Sequence, residues 1–189
     1  LTDALAMLAR IYEARECAEA WGGTEDADEV AESLGADAQS ALHRARTFRT
    51  RFHAAMDDDF NTAMALGHAF ELVRALNRLS NHKKAKKRAG PIAREANEAL
   101  TVLQTIGLLK ATSEEFQEEV KDKRLAPLGL TRADVQTLID ARGQARSDKD
   151  WAAADSIRDQ LHSSGIVVMD RADGVDWRVS LSASKASVD

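Results

Sequence analysis

Apolar residues three and four positions apart recur between Leu1 and Ile106 and predict a series of amphipathic helices. The first carries Leu5, Leu8 and Ile11. A third opens near Thr62, and a fourth at Pro91, because proline suits a first helical turn. The second is expected to run unbroken from about residue 26 to 56, on the stripe Val30, Leu34, Ala38, Leu42, Ala45, Phe48, Phe52 and Met56.

Short connections between these helices predict an antiparallel helical bundle over residues 1–111. A short acidic helix follows from Ser113. The stretch "KDKRLAPLGL" after it breaks the helical pattern, and we interpret residues 112–130 as a short helix and linker.

A second, smaller unit is expected over residues 131–189, opening with Thr131 and its capping partner Asp134. Two helices are predicted, the second over "KDWAAADSIRDQL". Gly165 then ends that helix, and "IVVMD", "RADG" and "VDWRV" predict a β-hairpin before a small, polar, fraying tail. The predicted fold class is therefore mainly α, a bundle followed by a small α+β module of two helices and a hairpin.

Composition narrows the function classes. No run of the chain approaches 18 apolar residues, so no membrane span is expected. The net charge of −5 means that any RNA contact must come from local patches. A single cysteine, Cys17, cannot form an internal disulfide and indicates a reducing, cytoplasmic setting. Because the chain opens at Leu1 within a helical pattern, we expect a piece of a longer protein.

The sequence gives little support for a catalytic site or a metal site. The three carboxylates of "MDDDF", Met56–Phe60, could ligate Mg²⁺ or Ca²⁺, but adjacent residues point in different directions and no further ligand set follows. An acidic approach to the next helix N-terminus is the simpler interpretation. With no nucleophile–base arrangement and no glycine-rich phosphate loop, neither a metal site nor catalytic machinery is predicted.

One basic cluster stands out, "HKKAKKR", between the third and fourth helices. Such a run is equally consistent with a solvated loop and with contact to phosphate groups, and charge alone does not decide between the two interpretations. The candidates for backbone contact are Lys83, Lys84, Lys86, Lys87 and Arg88.

A second candidate surface lies on the helix "KDWAAADSIRDQL". At 100° per residue, Trp151, Asp155, Arg158 and His162 share one stripe, away from the apolar face. By residue type, Trp151 would more often cap a core. However, a carboxylate can accept from the Watson–Crick edge of guanine or the amino group of cytosine, and an exposed ring can stack on a base. Recognition of single-stranded RNA uses that combination.

Two stretches of the chain resemble the C-terminal part of bacterial cysteinyl-tRNA synthetase, namely "FHAAMDDDFNTAMAL" and "ARSDKDWAAADSIRDQLHSSGIVVMDRADGVDWR". The opening segment resembles the start of the DALR-type helical bundle of that family, in "LTDALAMLARIYEA". The resemblance covers essentially the whole chain. It implies that the small module binds the anticodon of cysteine tRNA, whose bases are guanine, cytosine and adenine. The resemblance also implies that the whole enzyme is a class I ligase that joins cysteine to this tRNA using ATP.

By position, the resemblance implies anticodon-binding roles for Arg146, Trp151, Asp155 and Asp170. We expect Asp155 and Arg146 to contact the guanine, one accepting from its Watson–Crick edge and the other donating to O6. Asp170 is expected to accept from the amino group of the cytosine, and Trp151 to stack.

The departures from the family pattern are also informative. Neither a His-Ile-Gly-His nor a Lys-Met-Ser-Lys-Ser signature is present, so ATP, Mg²⁺ and Zn²⁺ are expected only in an absent catalytic domain. Ala63 stands where the family often has proline. Two alternatives remain: a paralogous ligase that joins cysteine to an amino sugar, and a free-standing helical protein-interaction module. We expect a monomer that binds neither DNA nor membranes.

Overall fold

The computed structural model describes residues 2–171 and 174–180. The chain divides into two compact units, one over Met7–Ser113 and the other made of the described residues of 1–6 and 114–189. The helices of the first part of the chain are α1 (Thr2–Glu19), α2 (Ala27–Leu34), α3 (Ala36–Asp57), α4 (Thr62–Ser80), α5 (Ala85–Arg88) and α6 (Gly90–Leu100), followed by a 3₁₀ segment (Thr101–Ile106).

Next come α7 (Ser113–Leu125), a 3₁₀ turn (Ala126–Leu128), α8 (Arg132–Ser147), α9 (Trp151–Ser163), β1 (Ile166–Arg171) and β2 (Gly174–Val179). The predicted class, mainly α with a small β-hairpin near the C-terminus, is confirmed.

The long second helix is the clearest correction. It is two helices, because Gly35 between them adopts φ 87° and ψ −160°, a backbone conformation that no helix can continue through. Leu34 and Ala38 on either side are both buried. The apolar stripe therefore stays continuous across a break in the backbone, and periodicity alone cannot detect it.

The core of the 7–113 unit surrounds α3, which packs against α2, α4 and α6. The expected stripe of α3 is buried from Ala38 to Phe52. Its largest members, Phe48 and Phe52, have ring centroids 6.1 Å apart. The bundle helices therefore form around the predicted apolar faces, leaving their polar faces to solvent.

The second unit has its own core, and part of it lies in the predicted linker. Residues 121–125 form the end of α7, and Leu125 is fully buried. Leu128 and Leu130 pack against the same cluster. The stretch "KDKRLAPLGL" is therefore packed structure rather than a linker, since its leucines alternate with the turn formers Pro127 and Gly129. The buried cluster comprises Leu125, Val135, Ile139, Leu161, Ile166, Trp177 and Val179.

The end of this unit follows the sequence signals. Thr131 and Asp134 form the expected capping box at the start of α8. Gly165, at φ 79°, follows the end of α9. The antiparallel strands pair Val168 with Trp177 and Asp170 with Val175. The predicted turn residues Ala172 and Asp173, and the tail from residue 181, lie outside the described residues.

Candidate nucleic-acid interface

The candidate site is built from three elements of the second unit: the last turns of α8, the first turns of α9 and the end of β1. The chain reverses between α8 and α9 at Lys149, whose φ of 60° is left-handed. The side chain of Asp150 then caps α9 by accepting the N–H of Ala153 at 3.0 Å. This tight connection fixes Trp151 as the first residue of α9.

Trp151 is an exposed tryptophan, with 60% of its surface accessible. The alternative that it caps the core is wrong, because Trp177 on β2 occupies that position at 7% exposure. Lys121 lies 4.7 Å from the centre of the Trp177 ring. The Trp151 indole is thus available as a stacking surface.

The predicted stripe on α9 is also confirmed as a surface, since Asp155, Arg158 and His162 are all exposed. Asp155 lies one turn after Trp151 and is 3.3 Å from the guanidinium of Arg158. Among the described residues it forms its ion pair within α9 rather than with Arg146.

Asp170 is the centre of a cluster of charges. Its two carboxylate oxygens accept from Nη1 and Nη2 of Arg142 at 2.9 and 3.0 Å. Oδ2 also accepts from Nη1 of Arg146 at 3.1 Å. The hydrogen bonds from Arg142, followed by the charges of both arginines, lower the pKa of Asp170 from 3.8 to about 2. Asp170 is therefore an ionised acceptor at neutral pH.

The structure thus joins two of the predicted residues, Arg146 and Asp170, and adds Arg142, which sequence reasoning missed. Hydrogen bonding to Asp170 raises the pKa of Arg142, and the charge of Asp155 adds to this effect. The available signal was the spacing, since Arg142 lies one turn before Arg146 on the same face of α8.

The basic cluster lies in the other unit, on α5 and the turn before it. Lys83, Lys84, Lys86 and Lys87 are exposed, and the described residues place no carboxylate within 4 Å of their amino groups. Arg88 differs, because its Nε lies 3.3 Å from the Glu25 carboxylate. Within the described part of the chain, the segment therefore presents four lysines as unpaired cations.

Main-chain hydrogen bonds hold this segment in place. The N–H of Gly22 donates to the carbonyl of Lys86 at 2.9 Å, and the N–H of Gly90 donates to the carbonyl of Gly22 at 2.8 Å. Trp21, the residue before Gly22, is buried. The lysines are thus carried by an anchored backbone.

The acidic stretch Asp57–Asp59 lies at the end of α3 and in the turn before α4. Within residues 2–171 and 174–180, no group of three His, Cys, Asp or Glu side chains is arranged to hold a metal ion. In the same residues, no helix is long and apolar enough to span a bilayer.

Comparison with known proteins matches two parts of the chain to known families. Residues 51–121 match the DALR domain, and residues 129–178 match the cysteinyl-tRNA ligase anticodon binding domain. The cysteine–tRNA ligase of Geobacter sulfurreducens is 37% identical over 181 residues, which is 95% of this chain and 36% of that protein. The ligase of Nitratidesulfovibrio vulgaris is 40% identical over 134 residues, 69% of this chain and 28% of that protein.

A DALR domain followed by an anticodon-binding domain places the chain among the aminoacyl-tRNA synthetases. More narrowly, it belongs to the cysteinyl-tRNA synthetase family and corresponds to the C-terminal part of those ligases. The chain spans roughly a third of the length of the curated relatives it matches. Neither the amino-sugar ligase nor the interaction module is favoured by these matches.

Proposed function

We propose that this chain binds cysteine tRNA and reads its GCA anticodon with the second unit. The observation that carries the proposal is the exposed Trp151, one turn from Asp155 on α9, in a unit that also presents Arg146 and Asp170. An exposed aromatic face, carboxylate acceptors and a cation on one unit suit unstacked RNA bases. A merely structural tryptophan would be buried, as Trp177 is.

Each side chain has a distinct chemical role in this proposal. Trp151 stacks on a base, which contributes about 1–3 kcal/mol per base in comparable sites. Asp155 accepts from N1–H and the amino group of the guanine. Arg146 uses one N–H for Asp170 and keeps donors for guanine O6. Asp170 accepts from the amino group of the cytosine.

The lysines of the basic cluster are proposed to contact the tRNA backbone. Lys83, Lys84, Lys86 and Lys87 would each displace counterions from a phosphate and make binding weaker in salt. Arg88 contributes less, because its guanidinium is already paired with Glu25. These contacts would position the RNA without reading its sequence.

In the whole protein, we propose, this tRNA is charged with cysteine in the cytoplasm using ATP. ATP, Mg²⁺ and Zn²⁺ would act in a catalytic part that this chain does not contain, and the chain alone is expected to be inactive. The described residues offer no three-ligand group that fits a metal ion. The contribution of this chain would be to bind and identify the tRNA.

The test is a titration of the 189-residue chain with the anticodon stem-loop of cysteine tRNA and with a loop whose guanine is replaced by adenine. Intrinsic tryptophan fluorescence and the anisotropy of a labelled RNA are recorded together. We expect tighter binding of the guanine loop, and Asp155→Ala should abolish the preference. The Trp151→Phe variant should lose the fluorescence response while the anisotropy still reports binding. Equal binding of both loops by the unaltered chain would overturn the proposal.

A further inference from the structure

Arg142 differs from the other arginines of the candidate site in being nearly enclosed. Its side chain is 12% exposed, against 45% for Arg146 and 49% for Asp170. Its two terminal nitrogens are both directed to Asp170, one to each carboxylate oxygen. Such a planar fork fixes the orientation of a carboxylate as well as its charge. A base entering from solvent would therefore meet Asp170 rather than Arg142.

The hydrogen-bond acceptor capacity of Asp170 is not fully used by the two arginines. An ionised carboxylate offers about four acceptor positions. Within the described residues, Oδ2 accepts from both Arg142 and Arg146, while Oδ1 accepts from Arg142 alone. One acceptor position thus remains, and it is on Oδ1. The geometry leaves Asp170 able to take a single further N–H donor.

Arg142 also neutralises a local excess of negative charge. The carboxylates of Asp155 and Asp170 both act on it, Asp170 by hydrogen bonds and Asp155 through space. Two uncompensated carboxylates would repel an anionic RNA backbone. The enclosed guanidinium partly compensates both charges, while it holds only Asp170 by hydrogen bonds.

From these contacts we infer that Arg142 is a positioning residue for base selection: it orients Asp170 so that the remaining Oδ1 position accepts an exocyclic amino group of the RNA. The inference rests on the proposed anticodon reading and adds a residue and an atom to it. The preferred base is cytosine over uracil, since uracil presents the O4 acceptor where cytosine presents the N4 donor.

The test uses the whole chain, with stem-loops carrying GCA or GUA anticodons. For the unaltered chain we expect at least about tenfold tighter binding of GCA, the lower range for one well-formed base contact. In Arg142→Gln the ratio of GCA to GUA affinity should fall below about threefold, because Asp170 keeps, among its described partners, only the single hydrogen bond from Arg146 and no longer has Oδ1 directed to the base. Arg142→Lys, which keeps the charge but not the fork, should retain overall affinity and lose most of the ratio.

The matched control is Arg132→Gln, on the same helix and also paired with two carboxylates, those of Glu118 and Asp122. Ten residues of helix place it about 15 Å from Arg142. It should leave the ratio unchanged. Circular dichroism and thermal unfolding establish that each variant is folded, and carboxyl NMR of Asp170 in the free protein should show its pKa rising in Arg142→Gln.

The outcomes are distinguishable. An unchanged ratio in folded Arg142→Gln overturns the inference and leaves the proposed function standing. A loss of affinity equal for both loops, with the ratio intact, means that Arg142 is structural only and also overturns it. If the unaltered chain binds GCA, GUA and the guanine-replaced loop equally, both the inference and the proposed function fail.

Discussion

The peptide N–H of Gly90 donates to the carbonyl of Gly22 at 2.8 Å, and a Cβ placed on Gly90 would lie 2.6 Å from that same oxygen. This contact joins the start of α6 to the loop after α1. The basic cluster directly precedes α6 in the sequence. Glycine is required at position 90 by the closeness of two backbones rather than by its own dihedral angles.

Gly90→Ala should therefore destabilise the chain by about 1–3 kcal/mol, because a backbone must move to make room for the methyl group. Urea unfolding measures the change. The control is Gly67→Ala, in α4, where nothing lies within 4 Å of the added Cβ. That variant should gain roughly 0.5–1 kcal/mol from helix propensity. Equal effects at both sites would contradict the packing argument.

Substitution of the two tryptophans of the second unit should affect different properties, stability for Trp177 and RNA affinity for Trp151. Trp177→Ala removes a buried ring and should cost about 3–5 kcal/mol of unfolding free energy. Trp151→Ala removes an exposed ring and should change stability by no more than about 0.5 kcal/mol. The Trp151→Ala substitution should instead weaken RNA binding by about 1–3 kcal/mol. Thermal unfolding and stem-loop titration of both variants separate the two contributions.

Acid should weaken the hydrogen bonds from Arg142 and Arg146 to Asp170. Because the folded pKa of Asp170 is depressed from 3.8 to about 2, its stabilising contribution is present above pH 3.8 and is lost as the pH falls through about 2. Urea unfolding between pH 5 and pH 2 should show a smaller decline in Asp170→Asn than in the unaltered chain. Parallel declines would show that this carboxylate is not coupled to the two arginines.

Replacing Lys83, Lys84, Lys86 and Lys87 with glutamine should reduce the salt dependence of tRNA binding. Removal of one lysine–phosphate interaction lowers the slope of log affinity against log salt by about 0.7–0.9. The reduction in affinity should be equal for GCA and guanine-replaced anticodons, since phosphates carry no sequence.

The control for this variant removes four cations from exposed positions elsewhere in the 7–113 unit, by glutamine substitution at Arg10, Arg49, Arg74 and Lys110. The net charge change is the same. If both variants lower the slope equally, the effect belongs to net charge, and the basic cluster has no special role.

Much of this arrangement follows from local signals in the sequence. The capping box of Thr131 and Asp134, the helix beginning near Thr62 and the hairpin after Gly165 are all set by residues within a few positions of one another. Local side-chain chemistry decides such features, so they can be predicted from a single sequence.

The errors have a different origin. Gly35 interrupts a helix without interrupting the apolar stripe, and Leu125 joins a core that assembles only with distant residues. Arg142 meets Asp170 across 28 positions of sequence. Trp151 and Trp177 are chemically identical, and only the completed hairpin decides which one is enclosed. These features depend on tertiary packing, which periodicity does not report.

The basic cluster is held by peptide groups, those of Gly22, Lys86 and Gly90. Peptide hydrogen bonds are indifferent to the side chain they carry. The number of cations between Lys83 and Lys87 can therefore vary without moving the loop that bears them. Under the proposed function, substitutions in this segment would change RNA affinity in steps of single charges, without altering the fold or the residues proposed to read the anticodon.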